Sequence, residues 1–193
     1  MDWYDVVDGT DVLQGDILFS CPNPRVVGLD VWPIEDEAAE LAVDIEEGAA
    51  CVLTQSCDLE NDKVTEVMLG RVIDWQTAQH KAFEDGNTIV KKTEFRTALQ
   101  RGNVPGVALL HKHAGEPQMD WSIVDFGRLF VLPKGVLAVV AASAGPRLRL
   151  VSPYREHLGQ ALARYFMRVG LPHEASAFVK EGAFHDQGRD RAG

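Results

Sequence analysis

Cysteine is scarce in this sequence and basic residues are outnumbered. Three cysteines, Cys21, Cys51 and Cys57, form an odd set with no C-x-x-C spacing. This argues against a disulfide framework and for free thiols in a reducing, intracellular compartment. Lys and Arg total 19 against 29 Asp and Glu, a formal net charge of −10. A general nucleic-acid coat is disfavoured, because phosphate binding is dominated by Lys and Arg. A local basic groove is still allowed, and arginines do cluster late in the chain. No apolar run approaches the roughly 18 residues of a membrane helix. The start, Met1-Asp2-Trp3-Tyr4-Asp5, is acidic and aromatic and lacks the basic and apolar regions of a signal peptide. A cytoplasmic location with no membrane partner is the expectation. A P-loop, a G-x-G-x-x-G fingerprint, an H-E-x-x-H and a G-x-S-x-G elbow are all missing. ATPases, dehydrogenases of that fold, zincins and typical serine hydrolases fall well down the list. No cofactor is expected.

What is present is an ordinary globular composition, 46% hydrophobic and 25% charged over 193 residues. That is enough for one domain with its own core. A single domain over residues 1–172 is expected, followed by a loosely ordered tail at 173–193. The chain is organised around Ala49-Ala50-Cys51-Val52-Leu53-Thr54-Gln55-Ser56-Cys57-Asp58. An apolar run with a β-branched residue passes into an amide, a hydroxyl, a thiol and a carboxylate. Ala50 to Thr54 reads as a buried strand delivering side chains to a site at its end.

Residues 1–13 read as an arm with a turn at Asp8-Gly9-Thr10-Asp11. Ile17 to Ser20 is a strand that Pro22 and Pro24 end, and Val26 to Leu29 is a second short one. Glu35 to Glu47 holds seven acidic residues and no basic one. It reads as a solvated loop or exposed strand pair, with a nucleic-acid mimic or a docking surface for a basic partner as the sharper reading. After a loop from Cys57 to Asp62, residues 64–73 return as a strand. Residues 76–103 form a helical insertion, with Phe95, Ala98 and Leu99 at helical spacing. Val107 to Leu110, Ser122 to Phe126, Arg128 to Leu132 and Arg147 to Leu150 are strands, and Val136 to Ala142 is a short apolar run. Ser152 as N-cap and Pro153 at the first helical position start a C-terminal helix, about 153–169. Its apolar face is Leu158, Ala161, Leu162, Tyr165, Phe166 and Val169, and Gly170 and Pro172 close it. The fold class is α+β, mainly antiparallel β, with a helical insertion and a packed C-terminal helix.

Gln14-Gly15-Asp16-Ile17, Cys51-Val52-Leu53-Thr54-Gln55-Ser56, and Ser122 to Phe126 followed by Leu132-Pro133 resemble strands of the MazF/PemK toxin family. Together they cover about half the chain. The resemblance implies a small SH3-like barrel and a sequence-selective endoribonuclease of a bacterial toxin–antitoxin or defence locus. The family's arginine before its second conserved strand would fall at Gly48-Ala49-Ala50. Its hydroxyl residue would fall at Arg71 to Asp74. Neither residue type is present there. The Cys57-Asp58 pair and the helix start from Ser152 to His157 lie outside the family pattern.

Gln55, Ser56, Cys57 and Asp58 are the candidate catalytic site. A cysteine nucleophile requires a nearby base or cation, and the Asp58 carboxylate opposes a second negative charge. The competing reading is a small half-buried cysteine with Asp58 capping a turn. His111 and His113, two apart on a strand, are the candidates for metal, joined by Cys57 or Asp58. Arg147, Arg149, Arg155, Arg164 and Arg168 beside Tyr154 and Tyr165 suit single-stranded RNA, through phosphate contacts and stacking. The competing reading is ordinary strand and helix surface. Two functions follow: a toxin-like protein that binds or cleaves RNA, or a non-enzymatic module docking a cognate protein. A homodimer is compatible with either.

Overall fold

The structure, a computed structural model, describes residues 2–27 and 42–167. Its strands are β1 (Tyr4–Val7), β2 (Asp16–Val27), β3 (Ala42–Val52), β4 (Glu66–Asp74), β5 (Val107–Leu110), β6 (Ser122–Pro133) and β7 (Arg147–Leu150). They form one antiparallel sheet in the order β1-β7-β2-β3-β4-β6-β5. The helices are α1 (Ser56–Glu60), α2 (Trp75–Glu84), α3 (Thr93–Gln100), α4 (Lys134–Ala144) and α5 (Tyr154–Phe166), with a 3₁₀ turn at Thr88–Lys91. The α+β class and the helical insertion are present. A closed barrel is not, because β1 and β5 are edges with no ladder between them. The sheet coils until one side chain spans those edges: the Tyr4 hydroxyl donates to the His111 carbonyl at 2.7 Å.

The apolar run of β3 has a direct physical origin. Ala50 and Val52 pack in a cluster with Leu18, Leu69, Leu137 and Ala141, under α4. Cys51 and Leu53 pack on the opposite face with Ile17, Val124, Leu148 and Leu158, under α5. Side chains alternate across a strand, so a central strand covered on both faces has no polar position left. Gly70, beside Cys51 in the β3–β4 ladder, completes this crowded centre. A Cβ there would sit 2.6 Å from Val124 Cγ1.

Two register breaks shape the sheet. One lies in β2 between Leu18 and Cys21. The other lies in the β4–β6 ladder, which steps from Gly70↔Leu129 to Arg71↔Asp125 and leaves 126–128 bulged. Pro22 and Pro24 do not end β2 as expected. They lie on a two-stranded ribbon, paired with Glu47 and Ile45, where β7 no longer runs beside β2. Two residues apart, both prolines turn their missing N–H toward that open side, where a proline is tolerated. The described part of the acidic segment, 42–47, is the other half of this ribbon. Residues 35–41 lie outside the described residues.

Other expectations shift. The arm at 1–13 contains a real edge strand, β1. The run at 136–142 belongs to helix α4, whose Leu137 and Ala141 are fully buried one turn apart. Residues 57–62 begin as the short helix α1 rather than a plain loop. In α5 the N-cap is Pro153, with no side-chain cap bond, in place of Ser152. Leu158 is buried, but Phe166 is 58% exposed and leaves the expected apolar face. Val169, Gly170, Pro172 and the tail 173–193 lie outside the described residues.

Candidate functional site

The residues at the end of β3 are held by structural bonds. The Thr54 hydroxyl accepts from the Met68 backbone N–H at 2.8 Å. The Ser56 hydroxyl accepts from the Gln14 N–H at 3.3 Å, and the Gln14 amide donates to the Leu53 carbonyl at 3.2 Å. Gln55 is the N-cap residue of α1. Cys57 is exposed, and its thiol lies 3.6 Å from Gln55 Oε1 and 3.7 Å from Asp58 Oδ1. Asp58 pairs with Lys63 at 3.6 Å. Thus Gln55, Ser56, Cys57 and Asp58 are brought together, but no histidine or arginine joins them among the contacts of the described residues. The general base that a thiol nucleophile needs is not supplied. Their arrangement makes a joint between β3, α1 and the Gln14-Gly15-Asp16 turn.

The late arginines divide into two groups. Arg147 is 1% exposed, and Asp16 beside it is fully buried. Arg147 Nε donates to Asp16 Oδ2 at 2.7 Å, and its other nitrogens donate to the carbonyls of Gly9 and Asp11 at 2.8 and 2.6 Å. Arg149 forks onto the same carboxylate and donates to the Asp11 carbonyl at 2.7 Å. Its hydrogen bond to Asp16 raises the guanidinium above its ordinary value. These two arginines fasten the 8–13 loop to β2 and β7. Arg147 in particular is removed from the expected RNA surface, because a buried charge with its donors engaged cannot meet a phosphate. Arg155 pairs with its neighbour Glu156 at 3.2 Å and does not line the aromatic groove described below. Arg168 lies outside the described residues.

Tyr154 and Arg164 fall in a different place, a groove of about 390 Å³ between α3, β5 and α5. Tyr154 stacks on Trp3 with ring centroids 3.9 Å apart and planes 11° from parallel. His111 lies against the same indole at 5.3 Å, with Trp121 beyond it at 4.3 Å. His157 stands edge-on to Tyr154. Arg101 and Arg164 complete the rim with Gln100 and Gln160, and Ala108, Leu110 and Leu158 form an apolar floor. Arg164 reaches the Gly102 carbonyl at 3.4 Å. No carboxylate lines the groove among the described residues.

Sequence reasoning missed Trp3 and Arg101 as partners of this site. A signal was available on α5, where Tyr154, His157, Ala161 and Arg164 recur at three- and four-residue steps and so share one stripe. Trp3 gave no such signal, since its neighbour is 151 positions away in sequence. His111 and His113 do not converge. Their Nδ1 atoms bond the carbonyls of Lys112 and Pro117. Among the described residues no group of three His, Cys, Asp or Glu side chains is placed to hold a metal ion. No helix among them is long and apolar enough to cross a membrane.

Comparison with protein-family models, curated proteins and solved structures finds no match to this chain.

Proposed function

We propose that this protein binds single-stranded RNA, taking a base and its flanking phosphate in the groove of Trp3, Tyr154, His157, Arg101 and Arg164. One observation carries the reading. In a chain of net charge −10, this concavity is lined by two arginines, an imidazole and an aromatic stack, with no acidic side chain among the described residues. Single-stranded nucleic acid is recognised by aromatic faces for bases and by cations for the backbone. Binding rather than cleavage is the favoured activity, because no histidine or arginine joins Gln55 to Asp58 among the contacts of the described residues, and the nearby Lys63 is paired with Asp58. The MazF/PemK-like stretches, an SH3-like derivation of the coiled sheet, and a toxin–antitoxin or defence setting belong to the same proposal.

The test is anisotropy of a labelled single-stranded RNA titrated with the whole chain. Trp3→Ala and Arg164→Ala should each weaken binding about tenfold, since a stacked base or a charged contact contributes roughly 1–3 kcal/mol. Cys57→Ala and Asp58→Ala should leave it unchanged. RNA affinity indifferent to both groove variants removes the proposal.

A second reading is a docking module for a cognate protein. It is favoured by the ribbon of β2 and β3, where Val26, Val43 and Ile45 are each more than half exposed. Failure of RNA binding together with a stable complex lost on Ile45→Asp would select it.

A further inference from the structure

A second concavity, of about 300 Å³, lies where the ribbon leaves the sheet. It shares no residue with the aromatic groove and is lined by Asn23, Arg25, Arg71, Arg128, Leu129 and Phe130, together with Pro24. Three guanidinium groups and one carboxamide provide its polar atoms. No acidic side chain lines it among the described residues.

Both register breaks converge here. The β2 break precedes Asn23 and Arg25. The β6 bulge carries Arg128 and ends at Leu129, opposite Gly70. Bulges re-aim side chains and are concentrated next to functional sites. Here they gather arginines from three strands that a regular ladder would spread along the sheet.

The carboxylates lie at its margin: Glu46 and Glu47 line an adjoining cavity that shares Asn23, Arg71 and Phe130. Glu46 bridges Arg71 at 2.9 Å and Arg25 at 3.5 Å. Asp125 reaches Arg128 at 3.7 Å. Each of these contacts uses one nitrogen of a guanidinium that offers five N–H donors. The arrangement orients three cations and leaves guanidinium donors for an incoming anion. Planar guanidinium groups suit phosphate oxygens in particular. Phe130 and Leu129 add an apolar wall beside them.

From this geometry we infer a binding site for a phosphate-bearing ligand of nucleotide size, its phosphate on Arg25, Arg71 and Arg128 and its flat base against Phe130. The site stands independently of the RNA reading of the aromatic groove. The phosphate could belong to a free mononucleotide or to a strand.

Calorimetric titration of the whole chain with adenosine monophosphate, inorganic phosphate, adenosine and a short single-stranded RNA tests it. Adenosine monophosphate should bind more tightly than phosphate, and adenosine should not bind measurably. Arg71→Ala and Arg128→Ala should each weaken the nucleotide about tenfold, the loss of one charge-assisted contact. Arg128 is the safer variant, because its side chain is well exposed. Phe130→Leu should weaken the nucleotide while leaving phosphate unchanged. Trp3→Ala and Arg164→Ala, in the other groove, should leave the nucleotide unchanged. RNA that displaces the nucleotide, and loses affinity with Arg128→Ala, identifies a strand as the phosphate source. RNA that does not displace it identifies the free nucleotide. The inference is overturned if none of the phosphate ligands binds, if Arg71→Ala and Arg128→Ala both bind the nucleotide as the parent does, or if Trp3→Ala abolishes nucleotide binding.

Discussion

The Tyr4 hydroxyl on β1 donates to the His111 carbonyl just beyond β5, at 2.7 Å, and so joins the two edges of an open seven-stranded sheet. Burial is the main reason the Tyr4 phenol is held well above its ordinary range. Tyr4→Phe should lower stability by about 0.5–1.5 kcal/mol, the usual net value of one hydrogen bond. Urea denaturation checks this, with the midpoint falling and the slope unchanged.

Asp16 and Arg147 form a buried pair with no solvent to replace either partner. Asp16→Asn keeps the shape and leaves a buried cation uncompensated. The expected loss is about 3–5 kcal/mol, the range for breaking one side of a buried ion pair. Urea denaturation of the variant should show it, and a loss below about 1 kcal/mol would contradict the burial of this pair.

Among the three cysteines only Cys57 is exposed. A thiol reagent should therefore modify one site per native chain quickly, and the other two only after denaturation. Cys57→Ser should react at no site while native, with stability changed by less than about 0.5 kcal/mol.

Alkaline pH should destabilise the protein through the two buried thiols and Tyr4. Burial pushes the Cys21 thiol up from 9.0 to about 11. Burial, reinforced by the Asp16 charge, raises Cys51 further. The folded chain then holds these protons more tightly than the unfolded chain. Their contribution is complete below about pH 9 and falls as pH rises through about 11. Urea midpoints measured across this range should decline, and Cys21→Ala should flatten part of the decline.

Gly70→Ala should cost about 1–3 kcal/mol, as overpacking of a filled core does. The added methyl group would meet Val124 and Leu53 inside van der Waals distance. Chemical denaturation measures it, and an unchanged midpoint would show that the sheet centre can relax.

How much of this was legible in the sequence depended on the range of the interaction. Val107 to Leu110 and Arg147 to Leu150 match β5 and β7 to the residue, because each is a short apolar or alternating run bounded by turn residues. The helical insertion was legible through Phe95, Ala98 and Leu99. Helix α4 was not, since Val136, Val139 and Val140 favour extended structure locally and only packing of Leu137 and Ala141 on β2 overrides them. Pro22 and Pro24 misled because strand pairing on one side alone cannot be seen in a sequence.

The site was less legible than the fold. Gln55 to Asp58 drew attention as a dense polar cluster, yet their side chains and backbone mostly hold one another. Arg147 and Tyr154 sit a few residues apart with opposite fates. One is sealed by Asp16, 131 positions away, and the other opens onto a groove with Trp3. Pairing at that separation leaves no local pattern.

That separation has a consequence for synthesis on the ribosome. Strand β7 lies between β1 and β2 in the sheet, so among the described strands β1 has no ladder partner until β7 has emerged. Tyr4, the 8–13 loop and the Asp16 carboxylate must wait for Arg147 to Leu150 before any of them is secured. Chains interrupted before residue 147 would present an unpaired acidic N-terminus and a half-covered sheet. A chain that contains residues 147–150 differs from one that lacks them in having β1 paired and Asp16 neutralised.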